Sequence, residues 1–294
     1  MKIRIVGGDQ RITACKLVLE KAGWEVEMGD MGQNLPFYKA ETIHKSKGKT
    51  HMAGEGEGDV LLLPLPLSRD GIWVNGLENK LSLEDVLTIA PSYKYIVCGA
   101  PPSAFLEKAR GFGAKVLDVL ADEMFVLGNS QLTAEVAMGL LLLEMGESLY
   151  RLPCGVVGMG RIGRVICRYL VAFGADVSVF ARKEADRLSA LAMGARRVYD
   201  TTALAEDGLR GLSVLLNTVP VPLVTERAMS TLSDGALVME LASGSPLPHK
   251  EGAKYRYLSA MGLPGKYMPK GAGELLGARI LSLLNAFETT QPSK

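Results

Sequence analysis

Residues 153–170 read Pro-Cys-Gly-Val-Val-Gly-Met-Gly-Arg-Ile-Gly-Arg-Val-Ile-Cys-Arg-Tyr-Leu, and this stretch decides the fold of the chain. A short apolar run precedes glycines at G-x-G-x-x-G spacing, and helical periodicity follows them, which predicts a strand, a tight turn and a helix. Gly158 permits the turn, Gly160 lets the backbone approach a pyrophosphate, and Gly163 lets the helix pack closely on the strand. The stretch therefore predicts a dinucleotide site with the anion at the helix N-terminus; the alternative is a turn that binds no nucleotide. The predicted contacts are Gly158, Met159, Gly160, Arg161, Ile162 and Gly163.

The next predicted strand, Ala175–Phe180, runs into Ala181, Arg182 and Lys183. A fold specific for NAD carries an Asp or Glu here for the ribose hydroxyls, whereas two cations suit a 2′-phosphate. Because Arg presents a planar fork of donors to phosphate, we predict NADP as the cofactor. The alternative is that both cations are solvated loop charges.

Short apolar strands alternate with helices along the whole chain, which is typical of parallel, doubly wound sheets. We predict an α/β protein with two Rossmann-like domains joined by a long connector helix. The predicted parts are an N-terminal domain at 1–130 for substrate or partner, a connector helix at 131–150, an NADP-binding domain at 151–270, and a closing helix at 271–290 that packs back on the first domain.

The N-terminal strand ends in Gly7-Gly8-Asp9-Gln10-Arg11, which begins like a second dinucleotide turn but lacks the full glycine spacing. A second dinucleotide is therefore not expected. Such turns lie at the carboxyl ends of strands, where open α/β sheets bind ligands, so Asp9 and Arg11 are candidates for a cleft. The alternative is that Asp9 caps the helix and Arg11 is solvent-exposed.

Composition restricts the remaining possibilities. The chain has 294 residues with 33 basic and 32 acidic side chains, a balance of +1 that predicts neither a nucleic-acid partner nor binding to an acidic membrane surface. The N-terminal strand begins at once and the longest apolar runs are eight residues, so we expect no signal peptide, no membrane span and a cytoplasmic chain. The four cysteines lack metal-ligand spacing and are predicted to be buried free thiols.

Acid–base groups are few. The histidines are His44, His51 and His249, and no metal site is predicted because the first two have no cysteine partner. His249 is interpreted as a surface residue. At the position where 2-hydroxy-acid dehydrogenases carry an Arg after a strand, this chain has Glu240 followed by Leu-Ala-Ser, which argues against that chemistry. Motifs of hydrolases and phosphotransferases are absent.

Taken in order and spacing, a set of motifs resembles the family of dipicolinate synthase A subunits over nearly the whole chain. The motifs are Ile5-Val-Gly-Gly-Asp-Gln-Arg11, Leu63-Pro64, Asn129-Ser-Gln-Leu-Thr-Ala-Glu135, Gly158-Met-Gly-Arg-Ile-Gly163, Ala181-Arg182, Asn217-Thr-Val-Pro220, Leu241-Ala-Ser243, Gly262-Leu-Pro-Gly265, Pro269-Lys270 and Ala272-Gly273. With the resemblance, the predicted cofactor contacts extend to Asn217, Thr218, Val219, Pro220, Leu241, Ala242 and Ser243.

The resemblance implies NADP-linked oxidation of dihydrodipicolinate, formed from a lysine-pathway intermediate, to pyridine-2,6-dicarboxylate. It also implies a flavoprotein-like partner, the B subunit of dipicolinate synthase, in the mother cell of spore-formers. The substrate's two carboxylates need cations or N–H donors. The candidates are Arg11, Thr133, Lys266 and Lys270 for substrate binding, and Glu135 and Asp9 for catalysis.

Two alternatives stay open. One is another NAD(P)-dependent reductase or dehydrogenase of a small carboxylate, and the other is a catalytically silent NADP-binding protein that acts through a partner. The sequence leaves open whether the chain forms a homo-oligomer.

Overall fold

A computed structural model describes residues 1–29, 58–77, 80–244 and 247–289. His44 and His51 lie outside these residues. The chain divides into two compact units: unit 1 comprises Met1–Asn129 and Pro264–Lys294, and unit 2 comprises Ser130–Leu263.

Most strands are followed by a helix in chain order. The strands are β1 (Lys2–Ile5), β2 (Glu25–Met28), β3 (Gly58–Leu62), β4 (Tyr93–Cys98), β5 (Lys115–Asp118), β6 (Pro153–Val157), β7 (Asp176–Phe180), β8 (Arg197–Tyr199), β9 (Val214–Asn217), β10 (Leu237–Glu240) and β11 (Arg256–Ser259). The helices are α1 (Arg11–Lys21), α2 (Leu83–Ile89), α3 (Ser103–Gly111), α4 (Glu123–Met145), α5 (Arg161–Ala172), α6 (Glu184–Ala192), α7 (Glu226–Met229), α8 (Leu263–Tyr267) and α9 (Pro269–Thr289).

Unit 1 is built on a parallel sheet in the order β2-β1-β3-β4-β5. Because side chains alternate across a strand, the two faces of the sheet form separate cores. Val60 and Leu62 pack in one core with α1 and α9, whereas Leu61 and Leu63 pack in the other core with α2 and α3. The sheet is therefore covered by helices on both faces.

The closing helix α9 packs on α1 at very short range. A Cβ at Gly273 would lie 2.1 Å from the carbonyl oxygen of Arg11, and a Cβ at Gly277 would lie 2.8 Å from Cβ of Val18. Glycine at these two positions permits the close approach. The helix begins at Pro269 rather than at the predicted residue 271.

Unit 2 has a parallel sheet in the order β11-β10-β9-β6-β7-β8. The strand order reverses beside β6, so the turn that follows β6 lies at the switch point where such sheets bind ligands. Each unit thus has a parallel sheet flanked by helices, which confirms the predicted α/β, Rossmann-like fold class.

The long helix α4 begins earlier and ends earlier than predicted. It spans Glu123–Met145 rather than 131–150, and the division between the units falls inside it, after Asn129. The carboxylate of Asp122 accepts a hydrogen bond from the N–H of Phe125 at 2.9 Å and so caps the helix start. Gly146, at φ +64°, ends it.

Helix α4 is also the one helix in the described ranges that is long and apolar enough to cross a membrane by length and composition. Core helices of globular proteins pass the same test, so this observation is weak evidence for a membrane span.

Candidate functional site

The glycine turn, residues 158–163, joins β6 to α5. Gly158 has φ +96°, and a Cβ there would lie 2.6 Å from Thr218 Oγ1. A Cβ at Gly163 would lie 2.1 Å from the carbonyl oxygen of Gly158, so only glycine lets α5 approach the strand this closely. A Cβ at Gly160, by contrast, would meet no atom within 4 Å, because this position faces open space. The turn fits a phosphate at the α5 N-terminus.

The other predicted contacts in the turn differ in exposure. Met159 is buried, Ile162 is half-buried and Arg161 is exposed. A guanidinium from α5 supports the turn, since Arg164 donates from Nε to the carbonyl oxygen of Met159 at 3.0 Å. The same side chain donates to Ser189 Oγ at 3.0 Å and to Asp186 Oδ1 at 2.6 Å, both on α6. Arg164 therefore links the glycine turn to the helix that follows β7.

Ala181, Arg182 and Lys183 form the loop between β7 and α6. Ala181 is buried, whereas the side chains of Arg182 and Lys183 are exposed and can reach a ligand or solvent. Arg187 holds the loop backbone, because its Nη1 donates to the carbonyl oxygens of Ala181 at 2.8 Å and Arg182 at 2.9 Å.

A buried carboxylate organises the loops after β9 and β10. Glu240 is 1% exposed and is the register partner of Asn217 on the neighbouring strand. Asn217 Nδ2 donates to Glu240 Oε1 at 2.9 Å and to Oε2 at 3.1 Å. The carboxylate also accepts from the N–H of Ala242 at 3.0 Å and of Leu247 at 2.9 Å. These four hydrogen bonds compensate the burial of the carboxylate and hold both loops in place.

The predicted cofactor contacts after β9 and β10 follow from this network. Asn217 Oδ1 accepts from the N–H of Val219 at 3.1 Å, and Thr218 Oγ1 donates to the carbonyl oxygen of Val157 at 2.8 Å, beside the glycine turn. Pro220 and Ser243 are exposed, whereas Leu241 and Ala242 are buried. The parallel sheet thus brings the glycine turn, the 217–220 loop and the 241–243 loop to the same edge of unit 2.

In unit 1, Asp9 and Arg11 bind each other. Arg11 Nε donates to Asp9 Oδ1 at 2.8 Å, and Nη2 donates to Asp9 Oδ2 at 2.7 Å and to the carbonyl oxygen of Leu65 at 2.9 Å. The N–H of Arg11 also donates to Asp9 Oδ1 at 3.1 Å, but the N-cap residue of α1 is Gln10, whose side chain makes no capping hydrogen bond. Arg11 is not solvent-exposed, because its side chain is only 14% accessible. Their catalytic and substrate-binding roles stay predictions.

On α4, Glu135 is half-buried and accepts from Gln131 Nε2 at 2.8 Å, and the same nitrogen contacts the hydroxyl of Tyr169 on α5. Thr133 is buried. Lys266 and Lys270 are exposed in unit 1, and Lys266 Nζ lies 5.0 Å from the ring centroid of Tyr267. These residues also keep their roles as predictions.

Among the described residues, His249 and the four cysteines have the surroundings expected from the sequence. His249 is exposed and stacks on Tyr257 with ring centroids 4.6 Å apart. All four cysteines are free and buried, as predicted. Burial raises the pKa of Cys154 on β6 to about 12 and of Cys167 on α5 to about 11, so neither thiol is a thiolate at neutral pH. The described part of the chain contains no group of three side chains able to hold a metal ion.

Sequence reasoning missed three residues that shape the site: Glu240, Arg164 and Arg187. In the sequence, Glu240 stands out only as a replacement for an arginine. A carboxylate at the end of an apolar strand, next to a strand that ends in Asn, was the available signal for a buried pair. The arginines lie on polar helix faces, where sequence alone does not distinguish them from solvated charges.

Comparison with known proteins agrees with this geometry. Residues 130–250 match the family described as D-isomer specific 2-hydroxyacid dehydrogenase, NAD binding domain. The match covers most of unit 2 and supports an oxidoreductase with a nicotinamide dinucleotide, without distinguishing NAD from NADP. It concerns the dinucleotide-binding domain, so it does not bear on the substrate chemistry that Glu240 argues against.

Two solved structures share the fold over almost the whole chain. The A subunit of dipicolinate synthase from Bacillus halodurans has a TM-score of 0.77 at 21% identity, covering 99% of this chain and 98% of that one. The A chain of dipicolinate synthase from Bacillus subtilis has a TM-score of 0.78 at 21% identity with the same coverage. In sequence, the dipicolinate synthase A subunit of Bacillus subtilis (strain 168) is 30% identical over 97% of this chain and 96% of the relative. The chain belongs to the family of dipicolinate synthase A subunits.

Proposed function

We propose that this protein is the A subunit of a dipicolinate synthase and oxidises dihydrodipicolinate to dipicolinate with NADP. Family membership supports the reaction, since the relative's name gives dipicolinate as the product. The single observation that carries the cofactor is the loop after β7, where exposed Arg182 and Lys183 stand in place of an acidic residue. In this proposal unit 2 binds the cofactor, residues 1–130 serve substrate or partner, and the protein works in the cytoplasm of a mother cell with a B subunit.

The residues of unit 2 fit a dinucleotide phosphate. Gly160 leaves room beside the α5 N-terminus, and the backbone N–H groups there can bind an anion. NADP, when bound, supplies the hydride acceptor. Asn217 and Glu240 keep the 217–220 and 241–243 loops in place at the sheet edge that carries the glycine turn, and these preorganised loops would line the cofactor site.

Loss of a hydride and a proton turns the dihydropyridine ring into an aromatic ring, which supplies much of the driving force. The protein then has to orient the substrate and accept one proton. Glu135 is the leading candidate acceptor because it is a half-buried carboxylate whose side-chain partner among the described residues is Gln131. Asp9 is the weaker candidate because both of its oxygens bind Arg11. Arg11, Thr133, Lys266 and Lys270 are the proposed partners of the substrate carboxylates.

A second candidate is a protein that binds NADP but needs its partner for chemistry. The observation that favours it is that both candidate acids, Asp9 and Glu135, already accept hydrogen bonds from other side chains. The other alternative, a reductase of a different small carboxylate, has no specific observation in its favour.

The test mixes the purified chain with NADP and freshly generated dihydrodipicolinate, with and without a co-expressed B subunit. Pyridine dicarboxylate and NADPH are followed by absorbance. Product formed by the chain alone supports the full enzyme, and product formed only with the B subunit supports the second candidate. NADP binding without product under either condition contradicts the proposed substrate.

Glu135→Gln gives the same assay a residue-level result. We expect turnover to fall ~10²–10⁴-fold if Glu135 is the proton acceptor, with NADP affinity unchanged. Glu144→Gln is the matched control, because Glu144 lies on the same helix and makes only a 3.5 Å exposed ion pair with Arg256. Unchanged turnover in Glu135→Gln would remove Glu135 from the chemistry.

A further inference from the structure

Arg187 lies in the first turn of α6, and within the described residues one guanidinium nitrogen makes all of its side-chain hydrogen bonds. Its Nη1 donates to the carbonyl oxygens of Ala181 and Arg182 and, at 2.8 Å, to Asp200 Oδ2. The side chain is 22% exposed, so it is largely enclosed by the loop that it holds. One edge of the guanidinium is therefore committed to the backbone that carries Arg182 and Lys183.

The other edge of the same guanidinium is available. Within the described residues, Nε and Nη2 of Arg187 make no hydrogen bond, which leaves a planar set of N–H donors beside the loop. A planar donor edge of this kind matches two oxygens of a phosphate. Arg196, Arg197 and Arg210 of the same unit instead pair with carboxylates near the surface.

Arg187 is also held in place relative to the glycine turn. Arg164 connects α6 to the carbonyl oxygen of Met159, through Asp186 and Ser189 on the same helix that carries Arg187. The loop after β7 and the glycine turn are thus tied to one helix. A dinucleotide whose pyrophosphate lies at the turn would place its adenosine ribose toward the loop after β7.

We propose that Arg187 completes the 2′-phosphate subsite: Nη1 positions the loop that carries Arg182, and the free Nε–Nη2 edge binds the phosphate. This inference rests on the proposed NADP preference and adds a residue outside the Ala181-Arg182-Lys183 motif. Arg187 then contributes to the choice between NADP and NAD, and not only to the stability of the loop.

The experiment measures Kd by calorimetry for two probes that differ only in the phosphate, 2′,5′-ADP and 5′-AMP. Arg187→Ala should weaken 2′,5′-ADP by about tenfold or more while 5′-AMP changes by less than about threefold. Arg187→Lys, which keeps the charge and can still pair with Asp200, should also lower the ratio, because a single ammonium cannot serve the loop carbonyls and the phosphate together. If Arg187→Ala does not fold, Arg187→Lys alone tests whether Arg187 contributes to 2′-phosphate binding.

Arg196→Ala is the matched control. Arg196 Nη1 pairs with Asp176 at 3.2 Å, at the start of β7 and therefore at the opposite end of the strand from the loop. An equal fall of the ratio in this variant would indicate a general charge effect and overturn the assignment. So would equal weakening of both probes by Arg187→Ala, or a ratio that Arg187→Ala and Arg187→Lys leave unchanged.

Failure of the cofactor proposal gives a different result. Wild-type protein that binds 2′,5′-ADP no better than 5′-AMP overturns both the NADP preference and the role of Arg187. If wild-type protein prefers 2′,5′-ADP and Arg182→Ala lowers the ratio while Arg187→Ala does not, only the Arg187 assignment fails.

Discussion

The turn after β1 in unit 1 and the glycine turn after β6 in unit 2 start alike, with glycine at positive φ between a buried strand and a helix. In unit 2 the position of Gly160 faces open space. In unit 1 a Cβ at Gly7 would lie 2.7 Å from the carbonyl oxygen of Asn75, and a Cβ at Gly76 would lie 2.4 Å from that of Gly8. The chain itself occupies the space beside the first turn.

The difference shows that positive φ at glycine is not by itself a sign of a ligand site. In unit 1 glycine permits close packing of the chain. In unit 2, Gly158 and Gly163 permit the turn and the close approach of α5, whereas Gly160 leaves room for the proposed ligand. The Asp9–Arg11 pair adds to this, because it neutralises the charge beside the first turn.

The largest expected effect comes from closing the glycine turn. Gly163→Ala would place a Cβ 2.1 Å from the carbonyl oxygen of Gly158, a backbone atom that cannot move without shifting the strand. We expect a loss of stability of about 3 kcal/mol from overpacking and loss of NADP binding. The measurements are urea unfolding by circular dichroism and calorimetric titration with NADP.

Gly139→Ala is the control for that change. Gly139 lies within α4 and a Cβ there would meet nothing within 4 Å, so the variant should be as stable as wild type or up to about 1 kcal/mol more stable. Wild-type NADP affinity in Gly163→Ala would contradict the assignment of the turn.

A smaller effect is expected from removing the charge pair of unit 1. Asp9→Asn leaves Arg11 without a carboxylate, and we expect a loss of about 1–2 kcal/mol because Arg11 is mostly buried while Asp9 is 38% exposed. NADP affinity should not change. Both tryptophans, Trp24 and Trp73, belong to unit 1, so tryptophan fluorescence during urea unfolding reports this unit.

The control is Glu20→Gln, which removes an exposed 3.5 Å ion pair with Lys16 on α1 and should change stability by less than about 0.5 kcal/mol. If Asp9→Asn weakened NADP binding more than about threefold, the two turns would not have the separate roles proposed for them.

The smallest expected effect is a loss of stability at low pH that depends on Asp122. Burial alone would raise the pKa of Asp122, but hydrogen bonds from Arg279 and the N–H of Phe125, with the charge of Arg279, outweigh it and lower the pKa below 3.8. A lowered pKa stabilises the folded state above the pKa of the unfolded chain, and this contribution is lost as the pH falls through the folded pKa. Stability of unit 1 should therefore fall below about pH 4.

Asp122→Asn should remove that part of the acid dependence, costing ~1 kcal/mol at pH 7 and little near pH 2. The control is Glu288→Gln, because Glu288 lies on the same helix as Arg279. This variant breaks an exposed 3.1 Å ion pair with Lys94 and should keep the wild-type dependence of stability on pH. Identical slopes of stability against pH for wild type and Asp122→Asn would show that the Arg279 pair does not carry the effect.

The sequence by itself determined the fold class, the glycine turn and the cations after β7. Periodicity, glycine spacing and the residue after a strand are local properties, and the parallel α/β arrangement follows from their alternation. The start of α4 is also a local feature, since Asp122 caps it, but the polar residues Asn129-Ser130-Gln131 inside the helix resemble a loop in sequence.

Only the tertiary structure decided how the space at each turn is used. Glu240 meets Asn217 because β9 and β10 pair in parallel register, which joins positions far apart in the chain. The backbone of Asn75 likewise fills the space at Gly7 because two segments distant in the chain pack together. Arg187 becomes a candidate phosphate ligand only because the structure shows that one edge of its guanidinium holds the loop while the other edge is left over. Such facts depend on which side chains share a volume, and that is set by the packing of distant segments rather than by any local pattern.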